Sequence, residues 1–127
     1  MGKFIVRNTP TGIKFDLKAG NGEPISTSEV YKSEKSCLAG IESVKKNAPL
    51  AGLEDTPVEG YEHIKHPKFQ RYRDKSGQYR FRLRATNGQI IASCGEPYTT
   101  MKAALGGIDS VKRNAPEAPV EKVASKE

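Results

Sequence analysis

The 127-residue sequence contains no tryptophan and only two cysteines and two methionines. Cys37 and Cys94 are too few for a disulfide framework, and they do not form a metal-ligand pair. We therefore expect both to be reduced and to pack as small apolar side chains. No apolar run approaches the ~20 residues that a membrane helix needs, and the opening MGKFIVRNTP lacks the apolar stretch of a secretory signal. These absences predict a bacterial-type cytoplasmic protein with no membrane association.

The composition is that of a lean globular domain with a basic charge. Hydrophobic residues make up 35% and charged residues 28% of the chain, the net charge is +6, and the isoelectric point is near 9.4. Chains of this length are large enough to bury a hydrophobic core as one domain. The excess of Lys and Arg directs attention to anionic partners.

The sequence repeats itself. Residues 12–28 align with 78–94, and residues 29–49 align with 96–116, with Gly95 as the inserted residue. Nearly half of the aligned positions are identical, which indicates a duplication. We expect a single fused domain, 1–127, divided into repeat 1 (2–49), a connector with a candidate exchanged strand (50–68), repeat 2 (69–116), and a second such strand followed by a frayed tail (117–127).

Each repeat reads as three strands, a helix and a short final strand. Phe15 and Leu17 alternate with polar residues, as in a half-buried strand. The Asn-Gly pairs at 21–22 and 87–88 predict type I′ hairpins. Apolar residues at helical spacing follow, with Ser33 and Thr100 as predicted N-caps. A glycine inside each helix, Gly40 and Gly107, indicates close approach of the helix backbone to the sheet.

These patterns predict an α+β fold with a pseudo-twofold axis. Two units, each of three strands, one helix and a final strand (β3-α-β, where the 3 is a number of strands), would share a single antiparallel sheet that carries two helices. One unit alone would bury its apolar face on one side only. We expect a monomer that is internally a pseudo-dimer.

Three motifs together resemble a known family. They are Phe-x-Leu-x-Ala-x-Asn-Gly, Ser28-Glu29-Val30-Tyr31 and Gly-Ile-x-Ser-Val-Lys. Their combination resembles the YegP-like family of small bacterial proteins, over residues 2–49 and 69–116. The resemblance implies that the two units exchange their carboxy-terminal strands, near Val58 and Val120. It implies no biochemical activity, because the family has none established.

Arginines provide the main functional hypothesis. Arg80, Arg82 and Arg84 alternate with Phe81 and Leu83, so all three project from one face of a strand. Guanidinium groups in such a row suit phosphates. Two residues of the preceding strand, Arg71 and Arg73, would extend the patch, and Tyr72 or Tyr79 would stack on bases. The alternative is a solvated sheet face in which arginine only covers apolar surface.

A second hypothesis concerns two Glu-x-Tyr pairs. Glu29 with Tyr31, and Glu96 with Tyr98, would line a shared groove between the repeats as acid and base groups. The structural alternative is that each Glu favours a helix start and each Tyr packs over the sheet edge.

The remaining candidates are weak. His63 and His66 lack a third ligand and lie beside Pro67, which disfavours a helix that would align them. No serine has a partnered histidine, and no phosphate-binding glycine motif is present. We therefore predict no catalytic residue, no metal and no cofactor.

The leading interpretation is a non-enzymatic binding module whose basic sheet face contacts an anionic partner, with RNA or DNA as the specific version. Two alternatives stay open: a small enzyme that uses the Glu/Tyr groove, and an accessory factor that binds another protein.

Overall fold

The computed structural model describes residues 2–122. The predicted frayed tail, the last four residues (124–127), lies outside this range. The elements follow in the order β1 (Lys3–Thr9), β2 (Gly12–Lys18), β3 (Pro24–Thr27), α1 (Glu34–Asn47), β4 (Gly52–Asp55), β5 (Lys68–Arg73), β6 (Tyr79–Arg84), β7 (Ile90–Ser93), α2 (Met101–Asn114) and β8 (Val120–Lys122).

All eight strands form one sheet, in the order β4-β5-β6-β7-β3-β2-β1-β8. At its centre β3 and β7 pair antiparallel through Thr27 and Ser93. These two residues occupy equivalent positions in the aligned sequence, so the two halves meet about this pair. The predicted α+β class, with one sheet and two helices, is confirmed.

The sheet edges differ from the prediction. β8 pairs with β1 and β4 pairs with β5, and both pairs are parallel. The prediction of an antiparallel sheet is therefore wrong at both edges. The strand expected near Val58 lies at Gly52–Asp55 instead, because Pro57 has no N–H for a strand ladder and the Val58 N–H donates to the Asp55 carbonyl in a turn. The strand expected near Val120 lies at Val120–Lys122.

The Asn-Gly hairpins are not type I′ turns. A type I′ turn needs positive φ at both central residues, but among residues 2–122 only glycines have positive φ. Gly22 and Gly88 each have φ of 87°, and each donates its N–H to the alanine three residues earlier. The Asn21 side chain instead accepts a hydrogen bond from the Glu23 N–H at 3.0 Å. The turns are thus type I turns closed by a left-handed glycine.

One core lies between the helices and one face of the sheet. It is formed by residues of both halves, including Phe4, Phe15, Phe69 and Phe81. Helix α1 contacts β2 of its own half and β7 of the other, and α2 contacts β6 and β3 in the same way. Both helices begin at the predicted caps, where Ser33 Oγ and Thr100 Oγ1 accept backbone hydrogen bonds.

Tyrosines explain the two glycines inside the helices. A Cβ on Gly40 would lie 2.3 Å from the Tyr31 hydroxyl, and one on Gly107 would lie 2.3 Å from that of Tyr98. A close approach was predicted, and the structure attributes most of it to a phenol ring. Each tyrosine also stacks on a core phenylalanine, with ring centroids 6.1 Å apart in both halves.

Candidate functional site

The sheet face opposite the helices, here called the helix-free face, carries most of the polar side chains of the sheet. Its central row can be followed through the strand pairings from one edge to the other. The row consists of Glu121, Ile5, Asp16, Thr27, Ser93, Arg82, Gln70 and Glu54. The equivalent residues of the two halves are arranged symmetrically about Thr27 and Ser93, so this face can be compared position by position.

The predicted arginine row lies on this face. Phe81 and Leu83 are fully buried against the helices, and Arg80, Arg82 and Arg84 therefore point to the other side. Arg80 Nε donates to Asp74 Oδ2 at 2.9 Å. Hydrogen bonds from Arg80 and then Ser76 lower the pKa of Asp74 to about 2. Arg80 is therefore paired with a carboxylate that stays ionised.

Arg82 and Arg84 share a neutral partner. Their Nε atoms donate to the same oxygen, Gln70 Oε1, at 2.8 and 2.7 Å. The Arg82 guanidinium also lies over the Tyr72 ring, 4.6 Å from its centroid. Within residues 2–122 neither arginine lies at ion-pair distance from a carboxylate, whereas Arg80 does. Their positive charges are thus held in place without being neutralised.

Arg71 and Arg73 do not extend this patch. Arg71 pairs with Phe81 across the strands, so it points to the helix side, where it is buried. Its guanidinium binds the Asp55 carboxylate and the Met101 carbonyl, and thereby ties β4 and β5 to the start of α2. Arg73 lies on the same side, 5.5 Å from the Tyr79 ring centroid. The prediction that these two arginines join the basic face is wrong, because they lie two and four residues after the buried Phe69 and therefore share its face.

A buried carboxylate borders the arginine row. Glu54 is 1% exposed, and its Oε2 lies 2.7 Å from Lys68 Nζ. Its Oε1 accepts a hydrogen bond from Gln70 Nε2 at 2.6 Å. Burial acts to raise the pKa of Glu54, but the bonds from Lys68, Gln70 and the Ile64 N–H outweigh it and lower the pKa to about 2. The 56–67 segment closes over this cluster, since the Ile64 N–H and His63 Nδ1 both contact Glu54 Oε2.

The four residues of the Glu/Tyr hypothesis do not meet in one groove. β3 and β7 are antiparallel, so the segments that follow them leave the sheet at opposite ends. Glu29 and Tyr31 line a cavity of about 420 Å³ whose other wall is the β6–β7 hairpin, with Arg84, Gly88 and Ile90. Burial raises the pKa of Tyr31 and of Tyr98, so neither phenol is suited to act as a base near neutral pH.

The histidines and cysteines of the described residues do not come together as a metal site. His63 lies against Glu54 and His66 beside Gly88. The described part of the chain contains no group of three or more potential metal ligands. Cys37 and Cys94 are both buried, and burial raises the pKa of each thiol, which leaves them protonated and unreactive.

Gln70 is the residue that sequence reasoning missed. It occupies the position of Ile5 in the first half, and a polar residue in place of an apolar one at the same position of the repeat was a detectable signal. Its importance comes from contacts with β4 and β6 that only the sheet order defines.

These features define a class: an α+β protein with one mixed sheet, two helices on one face and a row of three arginines on the other. The family model described as "Domain of unknown function (DUF1508)" matches residues 12–55 and 74–121. A UPF0339 protein of Bordetella pertussis is 43% identical over 118 residues, which cover 93% of this chain and 92% of the relative. The chain belongs to this family of unknown function, the YegP-like UPF0339 proteins.

Solved structures agree with this assignment. The solution NMR structure of yegP from Escherichia coli, a protein of unknown function, has a TM-score of 0.79 and 32% identity, over 99% of this chain and 96% of that one. That of a UPF0339 protein from Shewanella oneidensis has a TM-score of 0.75 and 31% identity, over 95% and 90%. In residues 2–122, neither helix has the length and apolar character needed to cross a bilayer.

Proposed function

We propose that the protein is a non-enzymatic binding module that contacts an anionic partner, RNA or DNA, through the arginine row of the helix-free face. The observation that carries the proposal is the arrangement of Arg82 and Arg84 on Gln70. A structural arginine is expected to pair with a carboxylate, as Arg71 does with Asp55. Two arginines that share a neutral acceptor keep their charge for a ligand.

The experiment is a titration of isotope-labelled protein with short single-stranded RNA and with duplex DNA, at low and moderate salt. We expect amide shifts on β5 and β6 that weaken as salt rises. The variant R80A/R82A/R84A should lose this binding and its salt dependence. A charge-matched control, K35A/R73A/K102A, removes three exposed cations from other surfaces and should bind nearly as wild type. Equal binding by the two triple variants would contradict the proposal.

We also infer that the two halves are copies of one unit that exchange their final strands. Support comes from the pairing of β4 with β5 of the second half and of β8 with β1 of the first. Ion pairs accompany both edges: Asp55 binds Arg71 beside α2, and Lys122 binds Glu34 at the start of α1.

A non-enzymatic role is the better proposal because the acid/base groove that an enzyme would need is divided between opposite ends of the sheet. An enzyme of the hypothesised kind would have only one Glu/Tyr pair at each end of the sheet, Glu29 with Tyr31 or Glu96 with Tyr98.

A further inference from the structure

The Gln70 side chain is fixed in one orientation. Its Nε2 donates to Glu54 Oε1 at 2.6 Å, while its Oε1 accepts from Arg82 and Arg84. The reverse orientation would place an amide NH₂ against two guanidinium donors and an amide oxygen against a carboxylate, so only one orientation satisfies all three partners. Glu54 is itself held by Lys68 and by the Ile64 N–H. The chain of contacts from Glu54 to Gln70 therefore orients both arginines.

The two arginines form a pre-organised anion fork. Their Nε atoms are occupied by Gln70, and Arg84 Nη1 donates to the Gly88 carbonyl at 2.8 Å. The Arg82 plane is fixed against Tyr72. The remaining Nη donors of the two neighbouring guanidinium groups can therefore engage an oxyanion without the entropy loss of ordering long side chains. A phosphate group has the charge and the acceptor geometry for this fork.

A cavity adjoins the fork. Arg84 and Gly88 form one wall of the space of about 420 Å³, Ile90 and Ile91 supply apolar surface, and Glu29 supplies a carboxylate. This volume lies within the range of small-molecule sites. Glu29 would repel a second phosphate, but it would accept hydrogen bonds from hydroxyl or amino groups. The cavity thus favours a ligand with one phosphate end and a donor-bearing body.

From this arrangement we propose a nucleotide site: a phosphate on Arg82 and Arg84, with the attached sugar and base in the cavity against Ile90 and within reach of Glu29. This inference rests on the proposed function and specifies its ligand as a nucleoside phosphate, either free or as one unit of a single strand. The equivalent positions of the first half hold Ile5 and Asp16, which cannot form the fork. Binding is therefore expected at one site in each chain.

The test separates an oriented fork from a diffuse basic surface. Labelled protein is titrated with AMP, inorganic phosphate, adenosine and a short single-stranded RNA, following the Arg Nε signals and the amides of Gly88 and Ile90. Q70L keeps the net charge but removes the shared acceptor, and we expect about tenfold weaker binding of AMP or of RNA. Q78L, in the β5–β6 turn, is the matched control and should bind as wild type. R82K/R84K keeps both charges but loses the fork, and should weaken the binding of AMP or RNA as much as Q70L does. It therefore tests the fork independently if Q70L folds poorly.

Each outcome has a defined meaning. Wild-type affinity in R82K/R84K, with binding lost in R80A/R82A/R84A, would overturn the fork and leave the proposed function intact. Wild-type affinity in Q70L, R82K/R84K and R80A/R82A/R84A would overturn both the fork and the proposed function. Inorganic phosphate binding as tightly as AMP, or an E29Q variant with unchanged preference for AMP over phosphate, would remove the cavity from the proposal. Shifts with AMP would identify a free nucleotide as a sufficient ligand. Shifts that appear with RNA but not with AMP, and that are lost in Q70L, would identify a single-stranded nucleic acid as the ligand.

Discussion

The two edges of the sheet carry the same ion pair in different surroundings. Lys68 and Glu54 at one edge are equivalent to Lys3 and Glu121 at the other. The first pair has an N–O distance of 2.7 Å with side chains 9% and 1% exposed, and the second has 3.2 Å with side chains 44% and 58% exposed. The difference arises because the 56–67 segment folds over Glu54. The comparison teaches that burial, more than the identity of the pair, decides what the pair contributes to stability.

The halves also differ at the centre of the helix-free face. Asp16 occupies the position of Arg82, and it accepts hydrogen bonds from Arg7 Nε at 2.6 Å and from the Thr27 hydroxyl at 2.7 Å. In the first half the Asp16 carboxylate therefore neutralises Arg7. In the second half the neutral Gln70 leaves Arg82 and Arg84 charged. The two halves keep the same backbone arrangement at this position, but the charge that they carry there differs.

The largest expected effect comes from breaking the buried pair. E54Q leaves Lys68 as a buried charge without its carboxylate, and we expect a loss of about 3–5 kcal/mol in the free energy of unfolding. E121Q should change it by no more than ~1 kcal/mol. Urea denaturation of both variants measures the difference. Similar losses in the two variants would show that the 56–67 segment does not shield the pair in solution.

Acid should reveal the same asymmetry. The pKa of Glu54 in the folded protein is about 2, below its ordinary value of 4.5, so the folded state binds this proton less readily than the unfolded state. Its contribution is complete above about pH 4.5 and is lost as the pH falls towards 2. The stability gap between wild type and E54Q should therefore narrow over this window, as followed by urea unfolding at successive pH values. A stability difference between wild type and E54Q that stays constant over this pH range would contradict the lowered pKa of Glu54.

Adjacent glycines in α2 offer a matched comparison. A Cβ on Gly107 meets the Tyr98 ring, whereas one on Gly106 meets nothing within 4 Å. We expect G107A to destabilise the protein by ~1–3 kcal/mol through overpacking, and G106A to stabilise it by up to ~1 kcal/mol through helix propensity. Thermal unfolding distinguishes the two signs. The first half already carries Ala39 at the position of Gly106, so G106A makes the halves more alike.

The smallest effect is expected at the centre of the face. D16N removes the carboxylate that pairs with Arg7, and because this pair is partly exposed the stability should fall by ~1 kcal/mol or less. The same change should strengthen RNA binding at low salt and steepen its log–log salt dependence by up to about 0.7. An unchanged salt dependence would confine the binding surface to the second half.

Sequence patterns predicted more of the fold than of the site. The period-two strands, the caps at Ser33 and Thr100, and the helix ends at Asn47 and Asn114 depend on local rules, and all are found in the structure. The arginine row was placed on one face correctly, because alternation within a strand is local too. Arg71 was misplaced although the same local rule covers it, because it lies two residues after the buried Phe69 and therefore shares its face. What the sequence could not show is that the Asp55 carboxylate and the Met101 carbonyl bind Arg71 there.

The sequence by itself determined the element order and the alternation that separates apolar from basic faces, since both are set by neighbours within a few residues. Tertiary structure alone decided which strands meet at the edges, that β4 lies beside β5, and that Gln70 therefore lies between Glu54 and two arginines. These contacts join residues more than ten positions apart in the chain. Their geometry depends on how the two halves close one sheet around a common core.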